Sequence, residues 1–487
     1  MTGLGRALPV AFLAAVGSAA LRPIGDADFW WLLRAGRYMV ETRSFPTTDP
    51  FSATAHGAEW LNHAWGFELL AYGIYALAGT TGIILLQGLA ASATFGVLYG
   101  LLRREGVGRG WSLGLLSLGA LATHGFWSPR PQLITYLALA VFARILADYQ
   151  AGRQNHLWWL PILTAVWANL HGGFLAGPAL VALCAAGELV GWALGDSTGR
   201  DGGLTRARTL TFWSAASVLA SLANPFHYRA LVFPFLVLGD RTSQAWIIEW
   251  ASPPFAHPQV LVLELMLGLM LLLALGTARP VPWRDLVVLV PLVHLAFQAV
   301  RNTPLLVIVA TPILGRAVAS CAGAHWAGLP ALGRRAVAVG ALGLVLSACS
   351  LVAGSRHPAR VLSAFRPAFG EADTLPKGAV DFLRREGRRG SLWNEYVWGG
   401  YLIWHLYPEL RVSIDGRMAV YGPARFREHL TVSELEPGWQ DVLVRLDVNA
   451  AVVRTGSPLA AALRASGWLV RYEDRVATVL DPPGRDG

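Results

Sequence analysis

Charge is scarce in this chain and lysine is all but missing. Only 15% of the 487 residues are charged and 54% are hydrophobic, where a soluble domain carries about 25% charged residues. Mean hydropathy is +0.44. That balance excludes a soluble, disordered or fibrous chain. Among 40 basic residues, Lys377 is the sole lysine. Cysteine is equally sparse. Cys184, Cys321 and Cys349 lie scattered in apolar runs, with no spacing that spells a disulfide framework or a metal site, and read as packing residues. There is no Walker A, HExxH or EF-hand loop, no long internal repeat and no low-complexity segment. Gly-x-Ser-x-Gly occurs at 110–114 and 195–199, but neither follows a strand, as a nucleophile elbow requires. Glycine in membrane-helix packing explains both.

What the chain has is apolar length. A bilayer core takes about 20 apolar residues per helix. Eleven runs approach that: 7–22, 82–102, 111–126, 131–147, 157–171, 173–194, 209–223, 258–276, 283–299, 303–320 and 336–354. The first reads as an uncleaved helix. A secretory signal is the alternative, since Ser18-Ala19-Ala20 is small enough for cleavage. The net charge of +9 concerns topology rather than nucleic acid, because the basic excess sits in short loops between apolar runs. With the N-terminus in the cytoplasm, fourteen arginines fall on that side and four (Arg130, Arg229, Arg241 and Arg301) in short opposite loops. An odd number of helices then puts 355–487 in a bacterial periplasm or its equivalent.

Three regions are not spanning. Segment 23–81 is a long external loop. Its Phe29, Trp30, Leu32 and Leu33, then Trp60, Leu61, Trp65, Leu69 and Leu70, recur near helical spacing, which predicts helices lying along the membrane surface. Segment 224–257 is a second external stretch, with Pro225, Pro234, Pro253 and Pro254 as breakers. In the tail, helix-like stretches (378–387, 397–406, 436–446, 458–466) alternate with strand-like runs (390–393, 410–414, 450–454, 468–472, 476–480), the pattern of a small α/β domain. The predicted fold is an α-helical polytopic membrane protein: a transmembrane domain over 1–354, and an external α/β domain over 355–487.

The unusual polar residues gather on the external side: Asp26, Asp28, Asp49, His56, Glu59, Asn62, His63 and Glu68, then Arg130, Asn169, His171, Glu249, His294, Gln298 and Arg301. Charge at mid-membrane costs about 2.5–3.5 kcal/mol per residue on insertion scales, so such groups face cavities or partners. One face holding carboxylates, imidazoles and arginines suits an anionic lipid-linked substrate. Each feature has a second reading. Asp26 and Asp28 cap the next helix, or serve as a base or metal ligand. Arg130 and Arg301 anchor helix ends, or bind phosphate. Asn169 and His171 bond between helices. His63 and Glu68 form the polar face of a surface helix. In the tail, Tyr401, Asp415 and Arg417 bind sugar, or build the domain's core.

The order of a first helix, acids directly after it, a long external loop, many helices and an external α/β tail resembles the GT-C class of polytopic glycosyltransferases. That class includes the protein O-mannosyltransferases and the bacterial aminoarabinose and arabinosyl transferases. More specifically, the chain resembles a set of poorly characterised bacterial membrane proteins over nearly its whole length. The matching motifs are Asp26-Ala27-Asp28-Phe29-Trp30-Trp31, Thr48-Asp49-Pro50-Phe51-Ser52, Asn62-His63-Ala64-Trp65, Arg130-Pro131-Gln132, Asn169-Leu170-His171-Gly172-Gly173, Gly399-Gly400-Tyr401-Leu402-Ile403-Trp404 and Ile414-Asp415-Gly416-Arg417.

The resemblance implies transfer of a hexosyl or pentosyl group from a polyprenyl-phosphate donor to an acceptor glycan, lipid or protein at the outer face of the cytoplasmic membrane, with inversion at the anomeric centre. Carried over, Asp26 or Asp28 is the general base. Arg130 or Arg301 neutralises the leaving phosphate, and His63, Glu68 and His171 line the substrate or phosphate site. A divalent metal (Mg or Mn), held by Asp26, Asp28 and His63, is a further option. The mannosyltransferases carry Asp-Glu in that loop where this chain has Asp-x-Asp. A flippase or transporter for a lipid-linked substrate and a non-catalytic scaffold are the alternatives; the one-sided polarity disfavours the transporter.

Overall fold

Backbone in hydrocarbon must bond to itself, so apolar runs become helices. The computed structural model describes residues 4–195, 202–239, 241–254, 260, 263–269, 281–325 and 368–484. Helices α1 (Leu4–Ala20), α2 (Ala27–Thr42), α3 (Trp65–Arg104), α4 (Arg109–Thr123), α5 (Gln132–Gln150), α6 (Trp159–Ala168), α7 (Ala176–Ala193), α8 (Gly203–Ala220), α9 (Tyr228–Gly239), α10 (Arg241–Trp246), α11 (Trp283–Gln298) and α12 (Thr303–His325) precede the tail. Nine of the eleven predicted runs coincide with helices. Run 336–354 and most of 258–276 lie outside the described residues, as does the expected boundary at 354/355. Four described helical stretches are long and apolar enough to cross a membrane: Trp65–Arg104, Gln132–Gln150, Gly172–Ala193 and Val300–Ser320. Others are shorter or carry more polar residues, so length and composition alone do not support a count of eleven. In α3, Gly79 takes φ 58°, left-handed backbone that glycine adopts without strain, and kinks the helix there.

The chain divides into two compact units: Met1–Arg22, Leu85–Leu231 and Ile247–Ala368, and Pro23–Ile84, Val232–Trp246 and Phe369–Gly487. The first is a helical bundle whose core includes Leu116, Phe142, Trp167, Leu210 and Val307. Several of its interior hydroxyls bond back along their own helices. Thr164 donates to the Leu160 carbonyl at 2.8 Å and Thr311 to that of Val307 at 2.6 Å. Ser112, the serine of the first Gly-x-Ser-x-Gly, is buried and donates to the Gly108 carbonyl at 3.1 Å. It is a packing residue, as its helical context requires. The Gln87 amide donates to the carbonyls of Ala20 (2.5 Å) and Trp127 (2.6 Å), tying α1 and the approach to α5 onto α3.

The second unit contains α13 (Lys377–Arg385), α14 (Gly399–Leu406), α15 (Met418–Ser433), α16 (Trp439–Arg445) and α17 (Pro458–Ala465), with strands β1 (Gly390–Asn394), β2 (Leu410–Val412), β3 (Ala450–Arg454), β4 (Leu469–Glu473) and β5 (Ala477–Asp481). All five strands fall on predicted runs. They order as β2-β1-β3-β5-β4. The first three are mutually parallel, with Leu392 facing Val412 and Ala450; β5 runs antiparallel to β3 and β4. The first loop covers the β2 edge, where Ser52 bridges to Val412 and the Ala53 amide donates to the Val412 carbonyl at 2.8 Å.

Two expectations are corrected and one helix is added. The apolar face of α2 does not lie on a membrane surface: Phe29, Trp30 and Leu33 are fully buried, and Trp30 packs edge-on to Tyr401 of α14 at 5.2 Å between ring centres. An amphipathic helix covered by protein carries the same periodicity as one lying on lipid. Pro234 does not break the chain but sits inside α9. Helix α15 was not anticipated, because Gly422 (φ 67°) and Pro423 interrupt its pattern.

Candidate active site

Asp26 precedes α2 with extended backbone, and its carboxylate accepts the amide of Asp28 at 3.0 Å. This is an N-cap: a short side chain satisfies an amide that the first turn leaves without a partner. Asp28, in that first turn, is half-buried and packs on Gly416, where an added Cβ would fall on its carboxylate. The absence of a side chain at 416 is therefore what lets Asp28 reach this loop.

The residue after Gly416 anchors a buried charge centre. The Arg417 guanidinium is bidentate on Asp415, with Nε donating at 2.9 Å and Nη2 at 2.6 Å, while Nη1 donates to Asp49 at 2.6 Å. Tyr421 donates to Asp415 at 2.5 Å. Asp49 also accepts the amides of Phe51 (3.0 Å) and Ser52 (3.1 Å) and the Ser52 hydroxyl. The rings of Phe51 and Trp60 lie 5.0 and 4.8 Å from the guanidinium carbon. All three charged groups are almost fully buried. Two carboxylates against one guanidinium leave the centre one negative charge in excess. Burial works to raise the Asp49 pKa, but the Arg417 charge and the Ser52 and Phe51 hydrogen bonds win, and Asp49 sits below the usual carboxylate range. Burial works to lower that of Arg417, but Asp415 and Asp49 raise it well above its ordinary value. Burial and Asp415 together hold the Tyr421 hydroxyl protonated.

Sequence reasoning named Asp415 and Arg417 but left Asp49 and Tyr421 out of the site. Asp49 stood in a resemblance motif, which was the available signal. Tyr401 is separate from this centre: buried, it donates to Glu371 at 2.8 Å. Tyr401, Asp415 and Arg417 thus build the interior of the second unit rather than an open sugar-stacking face. Glu68 is fully buried and accepts the Asn62 amide at 2.7 Å. His63 stacks on Phe233 at 4.5 Å. Among the described residues no three carboxylate, imidazole or thiol groups converge to hold a cation. Asp26, Asp28 and His63 are not such a group, and the proposed reaction uses no metal.

The other named residues belong to the first unit. Arg130, just before α5, donates to Glu249 at 3.0 Å. Arg301 lies 4.3 Å from the Trp250 ring centre. Glu249 and Trp250 are consecutive, so the two arginines meet adjacent residues of one short segment. His171 Nδ1 meets the Thr135 hydroxyl at 2.6 Å and accepts the Gly173 amide at 3.3 Å, while the Trp167 indole donates to Thr135 at 2.9 Å. The Asn169 amide donates back along α6 to the Ala165 carbonyl and across to that of Ala223, just past α8, both at 2.8 Å. The structure thus gathers Asp26, Asp28, Asp415 and Arg417 within one unit, and Arg130, His171 and Arg301 within the other.

No family model and no curated protein matches the sequence. Solved structures do. The Archaeoglobus fulgidus oligosaccharyltransferase AglB, in complex with an inhibitory peptide and a dolichol-phosphate, is similar over 100% of this chain and 75% of its own, at TM-score 0.61 and 11% identity. The apo form of the Archaeoglobus fulgidus oligosaccharyltransferase matches over 93% and 70%, at TM-score 0.62 and 11% identity. The form tethered to an acceptor peptide containing the NVT sequon matches over 92% and 69%, at TM-score 0.54 and 12% identity. At such identity the likeness establishes the fold alone: this chain folds like the oligosaccharyltransferase, itself a glycosyltransferase of the GT-C class.

Proposed function

We propose that the protein is a membrane glycosyltransferase that moves a sugar from a polyprenyl-phosphate donor to an acceptor hydroxyl or amine at the periplasmic face. The fold likeness to an oligosaccharyltransferase carries this reading, and its solution with dolichol-phosphate supports a lipid-linked donor. Fold alone does not fix function, so the reading also rests on a carboxylate in the right part of the chain. Of the pair we take Asp28 as the base, since it is half-buried and reaches the Gly416 loop. In the reaction, the acceptor oxygen or nitrogen bonds to the anomeric carbon while its proton passes to Asp28. The bond from that carbon to the phosphate oxygen breaks, and polyprenyl phosphate leaves with the electron pair. As a separate proposal, Arg130 or Arg301 is the phosphate ligand that the resemblance implies. Turnover of lipid-linked sugar by wild-type protein and by Asp28→Asn tests the assignment; equal rates would reject Asp28 as base. The Asp26 cap favours a second reading, a non-catalytic scaffold, in which neither acid affects any transfer.

A further inference from the structure

In the first unit, buried acids and partly exposed arginines form a chain of ion pairs that links six helices. Asp148 on α5 meets Arg104 at 3.0 Å, Arg144 at 2.8 Å and Arg153 at 2.8 Å. Arg153 continues to Glu105, just past α3, at 2.5 Å, and Glu105 to Arg316 of α12 at 3.7 Å. Arg316 meets Asp285 of α11 at 2.7 Å. The neighbouring Arg284 reaches Glu188 of α7 at 3.9 Å, and Glu188 meets Arg206 of α8 at 2.9 Å.

Two asymmetries make this more than a structural clasp. First, the four acids are covered, with side-chain exposure of 5–9%, while the six arginines are 24–42% exposed. Among the described residues of this network the more exposed groups are the cations, with a net excess of two. Second, exposed tryptophans stand at helix ends of this unit: Trp158 and Trp159 at the start of α6, Trp192 near the end of α7 and Trp283 at the start of α11. Exposed indoles at helix ends mark the headgroup level of a bilayer. Guanidinium groups at that level meet phosphate diesters, to which their planar fork is matched.

We propose that this network is a binding surface for anionic phospholipid headgroups, with Arg104, Arg144, Arg153, Arg206, Arg284 and Arg316 as its donors. The surface takes no part in sugar transfer and stands whether or not the chain is an enzyme.

The full-length protein, reconstituted in nanodiscs with equal amounts of phosphatidylcholine and phosphatidylglycerol, tests this through the lipids it retains in native mass spectrometry. An arginine near an anionic surface contributes roughly a fivefold factor in affinity. Wild type should retain phosphatidylglycerol over phosphatidylcholine. Arg104→Gln with Arg144→Gln, which leaves Asp148 paired to Arg153, should reduce that preference roughly fivefold or more. Arg425→Gln with Arg445→Gln, removing exposed charges from the second unit, should leave it unchanged. Equal loss in both pairs, or no preference in wild type, would overturn the proposal. So would thermal stabilisation of wild type in detergent by inorganic phosphate equal to that by phosphatidylglycerol, since the site would then take free phosphate. Should the Arg104/Arg144 variant fail to fold, wild-type lipid preference and this phosphate comparison still decide.

Discussion

Replacing Arg417 by methionine removes the one cation paired with two buried carboxylates. Asp49 and Asp415 are then left facing each other with no counter-charge. Breaking a buried pair by removing one partner costs about 3–5 kcal/mol. For a cooperative unit of this size each kcal/mol lowers Tm by roughly 2–4 °C, so Arg417→Met should unfold roughly 6–20 °C earlier. Intrinsic tryptophan fluorescence of the detergent-solubilised protein reports it, because the Trp60 ring sits 4.8 Å from the guanidinium. The cost is electrostatic if it vanishes when the acids go too. Asp49→Asn with Asp415→Asn in the Arg417→Met background should recover at least half of the lost stability, since replacing a whole buried ion cluster is often near neutral. A single variant melting within about 2 °C of wild type, or a triple variant no better than the single, would refute the reasoning.

Other outcomes follow from the same structure. Gly416→Ala should displace Asp28 and cut sugar transfer by about 100-fold, the usual effect of an ångström-scale misplacement, with little change in melting; unchanged turnover would dissociate Gly416 from catalysis. Burial lowers the His429 pKa to about 4, so the unfolded chain takes up the proton first as pH falls. Stability should therefore be lost between about pH 6.5 and 4, and His429→Gln should flatten that limb in a pH series of melting curves. Asp49, held below the usual range, adds stability that is present above about pH 4 and lost below it, through its lowered folded value; Asp49→Asn should remove that acid loss. Residues 369–487 expressed alone should not unfold cooperatively in urea, since α2 and the Asp49 loop belong to their unit.

Much of the fold is legible because two of its signals are local. Apolar length gave the helices, and short runs rich in β-branched and apolar residues bounded by turns gave β1 to β5. The partnership of the first loop with the tail is not local. Asp49 and Arg417 are 368 residues apart, and no periodicity or spacing links them. Both charges stood out as polar residues in motifs, yet which acid meets which arginine is a tertiary fact. The α2 face shows the same limit: its spacing says that Trp30 and Leu33 turn to one side, and only the structure says that α14 covers Trp30. Asp26 was read both as cap and as base, and the backbone at Gly25–Ala27 supplies the cap without deciding the chemistry of Asp28.

The central claim is tested most directly by offering the purified full-length protein a panel of polyprenyl-phosphate sugars with an acceptor, beside an Asp26→Ala/Asp28→Ala variant, and measuring polyprenyl phosphate released. The account predicts release with at least one donor in the wild type and none in the folded double variant. No release with any donor by a folded protein that binds the lipid, or equal release by the variant, would contradict it.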